Sequence, residues 1–378
     1  MALTEVDVAR LNDDVFAATG TNKNRIINGD MRIDQRNAGA SITPASTGAF
    51  YSVDRWALET TRANALTLQQ VTDAPVGFTN SLRVTVASSV ASMSAGDAVN
   101  LFQGVEGFNI ADLGFGTANA QPITLSFWVK SSVTGTYSWF IRGTNDTRCY
   151  VGTYSITQAN TWEQKIINVQ GDSTTFAYNS TNGRGFLFGF ALGDGSNFET
   201  AGNTWTGVGA RMQVTGTLDF ISQSNGSTWQ VTGVQLEAGD TATPFERRSY
   251  GQELSLCQRY FQRWQLGSRD TRFIFERDAD SSNFIGTCEL NVLMRTFPHT
   301  ATFRDAANWN VFAGATYTVD SRSLHASAGS GTLTNVNRVG ITITSTALAN
   351  QLGGNWQTIQ IRSNSNTLMP SVLFDAEM

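Results

Sequence analysis

The chain has 378 residues with 31 acids against 26 bases, a formal charge of −5, and only 15% charged residues. This is well below the roughly 25% of an average globular protein. With 23 Phe and 9 Trp it carries ample apolar surface for a packed core, which excludes a disordered chain. The acidic balance excludes the basic field that neutralises phosphates, so no nucleic-acid partner is expected.

The opening segment carries acids where a secretion signal needs bases and an apolar core, so no signal peptide is expected. Thr4 precedes a short helical stripe of Val8, Leu11 and Val15. Residues 1–24 are read as an arm that docks on a larger body. No apolar stretch is long enough to span a bilayer as a helix, so membrane insertion is not expected.

From 25 to 248 the pattern is that of β-strands. Ile123, Leu125, Phe127 and Val129 alternate with Thr124, Ser126, Trp128 and Lys130, the period of a strand with one buried face. Similar runs occur at 65–71, 82–87, 137–142, 150–157, 161–169, 186–192, 214–222 and 229–236, separated by turn residues such as Asn182-Gly183. About ten short strands without a convincing helix predict an all-β antiparallel sandwich.

The period changes at Ser249. Tyr250, Leu254, Cys257, Phe261 and Trp264 recur at helical spacing behind a capping pattern of Ser249 and Gln252, which predicts one connecting helix over 249–266. Two readings of this stripe stand side by side: a helix packed on its own sandwich, or an oligomer seam shared around a threefold axis. Strand patterns resume over 267–378 and predict a smaller C-terminal β-sandwich domain.

Chemistry is sparse. His299 and His325 lie in no catalytic motif, and Cys149, Cys257 and Cys288 form neither a disulfide framework nor a zinc knuckle. Asp54, Asp172, Asp194, Glu237 and Asp240 are the acids from which a glycosidase pair would be drawn, and most adjoin turn residues. No enzyme is therefore expected. Trp128 and Lys130 on one strand, and Tyr137, Trp139 and Arg142 on the next, are candidate ligand-binding residues, because flat rings beside polar groups suit sugar faces. The competing reading places these rings between sheets or at a subunit contact.

Several strings resemble a group of phage virion proteins of the tail-fibre or head-spike type. They are NRIINGDMRIDQRNAG at 24–39, YSVDRW at 51–56, ITLSFWVKSS at 123–132, the run 229–263, and FDAEM at 374–378. The first domain further resembles jelly-roll carbohydrate-binding modules through Ile27-Asn28-Gly29-Asp30 and Val231–Glu237. The resemblance implies a trimeric fibre or spike that attaches to host surface glycan and meets other virion proteins through its N-terminal arm. It leaves as alternatives a head decoration protein and, further off, a polysaccharide depolymerase. It also implies that a structural calcium, if bound, would use Asp30, Glu237 and Asp240, although Thr232 and Gly233 stand where such modules place acids.

Overall fold

A computed structural model describes residues 23–265 continuously, and then 273–277, 283–289, 291–295, 300–304, 309–312, 316–318, 338–344, 358–363 and 371–377. The proposed N-terminal arm, apart from residues 23 and 24, lies outside the described residues. Two compact units divide the chain, Met1–Glu253 and Leu254–Glu377.

The first unit is built from β1 (Gly48–Tyr51), β2 (Ala57–Thr60), β3 (Leu66–Val71), β4 (Ser81–Val86), β5 (Ala98–Glu106), β6 (Ile123–Ser131) and β7 (Gly135–Gly143). It continues with β8 (Cys149–Ile156), β9 (Glu163–Val169), β10 (Arg184–Asp194), β11 (Glu199–Thr200), β12 (Trp205–Thr206), β13 (Gln213–Val214) and β14 (Thr228–Ala238). One sheet runs β1-β2-β5-β10-β7-β8-β12 and the other β3-β4-β14-β6-β9. The pairings are nested: β7 with β8, β6 with β9, β5 with β10, and β4 with β14, all antiparallel. A long hairpin rolled over on itself produces this order. The unit is a jelly-roll sandwich.

The alternation in β6 decides its orientation. Ile123, Leu125, Phe127 and Val129 are fully buried between the sheets. Phe190 of β10 lies at the hub of the core, with ring centroids 5.0 Å from Phe127, 5.3 Å from Phe188, 5.3 Å from Trp229, 6.1 Å from Tyr154 and 6.4 Å from Trp56. Each such ring contributes about 3 kcal/mol of burial, plus an edge or stacking increment.

Two expectations are corrected here. The run 214–222 is not a strand; its ends form the two-residue β13 and a 3-10 turn over Phe220–Ser222. The predicted long helix is short: α1 covers Tyr250–Gln258, and β15 (Phe261–Gln265) follows at once. The carbonyl of Cys257 accepts the Tyr260 N–H, while the carbonyls of Arg259 and Tyr260 accept from Arg295 and Ala376. Those bonds end the helical ladder, and the aromatic run Tyr260–Trp264 suits an extended strand. Phe261 and Trp264 therefore belong to a strand, and Cys257 and Phe261 are buried within the chain. The five-residue helical seam does not exist. Tyr250 is exposed and Leu254 half-buried.

In the second unit β15 pairs with β23 (Ser371–Asp375), which also pairs with β18 (Thr300–Arg304). A second antiparallel sheet joins β16 (Phe273–Arg277), β17 (Asn283–Glu289), β19 (Trp309–Phe312), β20 (Thr316–Thr318), β21 (Arg338–Thr344) and β22 (Thr358–Ser363) in the order β20-β19-β22-β16-β17-β21.

Candidate functional site

Each sheet of the jelly roll has one face turned away from the core, and the two are finished differently. On the seven-stranded sheet, Phe198, Met212 and Val214 from the 195–218 segment pack over Ala57, Ala98, Phe102, Phe140, Val151 and Leu187. That outer face is closed at its centre. Arg142 projects there, 9% exposed, with its guanidinium 3.0 Å from the Met212 sulfur and 3.0 Å from Asp146.

On the outer face of the five-stranded sheet, where β6, β14, β4 and β3 lie side by side, Trp128, Lys130, Arg83 and Gln69 are half-buried, and Gln230 and Thr232 of β14 between them are buried. The sheet's register places Lys130 opposite Gln230, Gln230 opposite Arg83, and Arg83 opposite Gln69. One row of long polar side chains thus crosses four strands, about 14 Å at the usual strand spacing. In the next row Trp128 lies opposite Thr232 and Gln164. Trp162, just before β9, completes the edge: the Lys130 ammonium sits 5.1 Å from the centre of its ring. Trp128 and Trp162 are both half-buried.

Asp73 ties these parts together. It pairs with the Lys130 ammonium, accepts from the Gln230 amide at 3.1 Å and from the Trp162 indole N–H at 3.4 Å. Burial raises the Asp73 carboxyl, but those hydrogen bonds and the Lys130 charge outweigh it and hold the group below the usual range. It is an anion at neutral pH. At the other end of the patch Phe78 and Trp128 meet over Gly233, whose φ of +61° bulges β14; a Cβ there would lie 2.6 Å from the Phe78 ring. Phe245 contacts Phe78 edge-on at 5.1 Å, and the Arg247 guanidinium lies 4.8 Å from the Phe78 ring centre. The result is a shallow strip of rings flanked by hydrogen-bonding groups and one fixed ion pair. Such a surface suits the apolar faces and hydroxyls of a sugar chain.

Of the residues singled out from the sequence, the structure brings Trp128 and Lys130 into this strip and leaves the others elsewhere. Tyr137 and Trp139 are fully buried core rings, not platforms. Tyr137 stacks on Tyr154 at 5.6 Å and donates to the Val133 carbonyl at 2.7 Å, while burial pushes its phenol up to about 12. The residues that sequence reasoning missed are Asp73, Phe78, Trp162 and Arg83. Only the strand pairing brings them beside Trp128.

The calcium ligand set does not form either. Asp30 pairs with Arg32 at 2.8 Å. Both Glu237 oxygens accept hydrogen bonds from Thr243, and Gln235 adds a third. Asp240 is exposed. Both Glu237 oxygens are thus already engaged, and among the described residues no group of three or more His, Cys, Asp or Glu could hold a metal ion. These residues do not fit a calcium ion.

No protein-family model matches the chain, and no curated protein matches it. Among solved structures it is similar to the enzymatically active domain of tailspike protein 4 of bacteriophage CBA120, at 14% identity and TM-score 0.31, over 57% of this chain and 21% of that one. It is also similar to the family 11 carbohydrate-binding module of the cellulase Lic26A-Cel5E of Clostridium thermocellum, at 12% identity and TM-score 0.28, over 53% and 99%. A third is TmCBM61, solved with β-1,4-galactotriose, at 8% identity and TM-score 0.25, over 48% and 88%. This chain thus matches only about a fifth of the tailspike chain's length. At these scores the likenesses decide nothing here, and the jelly-roll order stands on the strand pairing itself.

Proposed function

We propose that this protein is a non-catalytic, sugar-binding component of a phage particle, which holds host-surface polysaccharide on the outer face of its five-stranded sheet. One observation carries the proposal: two half-buried tryptophans, Trp128 and Trp162, flank a fixed Lys130–Asp73 pair on the outer face of the five-stranded sheet. The virion assignment rests on the resemblance of the 24–39, 51–56, 123–132 and 229–263 strings to tail-fibre and head-spike proteins. On this reading the chain is displayed in several copies, a trimer by that same resemblance, so that a weak single site gains avidity.

The test is affinity electrophoresis through gels containing candidate host polysaccharides. Wild-type protein is retarded, and Trp128→Ala and Trp162→Ala each lower retention about tenfold, in line with the loss of one ring contact. Equal retardation of wild type and both variants overturns the proposal. Shortened polysaccharide chains after incubation would replace it with a depolymerase. Native mass measurement reads the copy number, and a monomer at micromolar concentration removes the trimer.

A further inference from the structure

A pocket of about 760 Å³ opens at one end of the seven-stranded sheet, away from the strip described above, between the 91–93, 194–199 and 216–223 segments and the start of β7. Three carboxylates line it, Asp194, Asp219 and Glu199, and no Lys, Arg or His does. Leu218 and Met93 supply an apolar wall, and Thr136 and Ser196 supply hydroxyls. A group of acids alone is no site; the arrangement of Asp194 is what sets this pocket apart.

Asp194 is 1% exposed. Its Oδ1 accepts from the Val99 N–H at 3.1 Å and from the Asn100 amide at 2.9 Å, which fixes the carboxyl plane. Its Oδ2 has no hydrogen-bond partner, and neither has the side-chain oxygen of Asn100. Leaving such acceptors dry destabilises the fold. Gln213 holds the frame: its amide oxygen accepts the Asp194 N–H at 2.9 Å and its amide nitrogen donates to Asp219 at 2.7 Å. When ionised, Asp194 thus presents an oxygen without a donor to a pocket lined by no positive charge.

We propose that this pocket is a subsite for an amino sugar, whose protonated amine donates to Asp194 Oδ2. This deepens the glycan-binding reading and rests on it. A divalent ion is the poorer occupant, because no three acidic side chains among the described residues gather around one point. An ammonium needs only one buried carboxylate and a few neutral acceptors, and a pocket of this size holds a sugar ring or two. An N-acetylated sugar brings no charge to exchange for the Asp194 proton, so the site favours the free amine.

Burial, with the Asp219 and Glu59 charges added, pushes the Asp194 carboxyl up to about 8, while its bonds from Asn100 and Val99 pull the other way. Burial also raises Asp219. At pH 7 the free pocket therefore carries a proton on Asp194, and the bound ammonium displaces it to solvent.

Isothermal titration of the full chain with the tetramer of β-1,4-glucosamine and with its N-acetylated counterpart tests this, each in two buffers of different ionisation heat. The expected result is at least a tenfold preference for the free amine, with proton release at pH 7. Asp194→Asn abolishes both. Equal binding of the two sugars, or an unchanged preference in Asp194→Asn, overturns the proposal. So does equally tight binding of 1,4-diaminobutane, which would show that the pocket reads charge alone. Where Trp128→Ala and Trp162→Ala leave polysaccharide retention intact while Asp194→Asn removes the amine preference, the outer-face reading fails and this subsite stands.

Discussion

Gly29 lies so close to Val234 that a Cβ on it would sit 2.1 Å from the Val234 carbonyl oxygen. The approach is held by the Val234 N–H, which donates to the Gly29 carbonyl at 2.9 Å, and by the Asn24 amide, which donates to the Val234 carbonyl at 3.0 Å. The opening loop is thereby stitched to the last jelly-roll strand some two hundred residues later. Gly29→Ala has no flexible neighbour to push aside, only backbone. The expected cost is about 3 kcal/mol, near the upper end for overpacking. For a unit of this size that lowers the melting temperature by roughly 6–12 °C. Thermal unfolding by circular dichroism checks it, and an unchanged midpoint would mean the two backbones can part freely.

The same stitching explains why the strings at 24–39 and 229–263 stand out in the sequence. Asn28 takes a left-handed backbone at φ 56° and closes its loop by donating to the carbonyls of Ile33 and Asp54 at 2.9 Å each. Its own N–H donates to Glu253 at 2.5 Å, and Arg248 lies buried among Glu246, Glu253 and the Ile26 carbonyl. These motifs specify a buried polar network that closes the fold. They say little about ligands.

Legibility followed the pattern of burial. β6 was readable because one face is core and the other carries Trp128 and Lys130. β5 shows no period of two because all nine of its residues are buried, and its polar Asn100 and Gln103, which break the apolar run that marks β10, hide there by bonding Asp194 and the Ile27 backbone. On β7, parity shows that Tyr137 and Trp139 share a face. Parity cannot tell which face is core, because Phe140 on the opposite side is buried as well, under the 195–218 segment. The strip was half visible for a related reason: Asp73, Arg83 and Trp162 reach Trp128 only through cross-strand register, which a single sequence does not display.

Phe190→Ala removes the ring around which five other aromatics gather. The loss of transfer energy and the cavity left among rigid rings predict a cost of about 3–5 kcal/mol. Phe190→Leu, which refills much of that volume, is expected to recover at least half of it. Denaturant unfolding of both variants reads the difference, and equal stabilities would show that the core repacks around the gap.

Arg148 and Asp172 form a buried bidentate pair at 2.7 and 2.6 Å, and the Tyr178 hydroxyl donates to the same carboxylate at 2.8 Å. Burial raises the Asp172 carboxyl, but the bonds from Arg148 and Tyr178 outweigh it and hold the group below its ordinary value of 3.8. A carboxyl lowered by folding adds stability that is present above the unfolded pKa and is lost as pH falls through the folded one. Arg148→Met strands the carboxylate and is expected to cost about 3–5 kcal/mol at pH 7. As pH falls and the stranded Asp172 of the variant takes up a proton, the cost shrinks. A variant whose deficit is the same at pH 7 and pH 3 would show that the pair's charge contributes nothing.

Asp194 runs the other way from Asp172. Folding raises its carboxyl from 3.8 to about 8, chiefly through burial. A group raised by folding adds stability that is complete below its unfolded value and is lost as pH climbs through the folded one. Between pH 4 and pH 8 the wild-type protein therefore gives up as much as about 5 kcal/mol at this residue, less whatever hydration of the pocket returns. Asp194→Asn keeps an acceptor for Val99 and Asn100 but has no charge to lose. It is expected to match wild type near pH 4 and to exceed it at pH 8–9, with urea midpoints at the two pH values as the measurement. A variant that is less stable than wild type at pH 9 would mean that the ionised carboxylate is welcome in its pocket, and that the orphaned oxygen already has a partner.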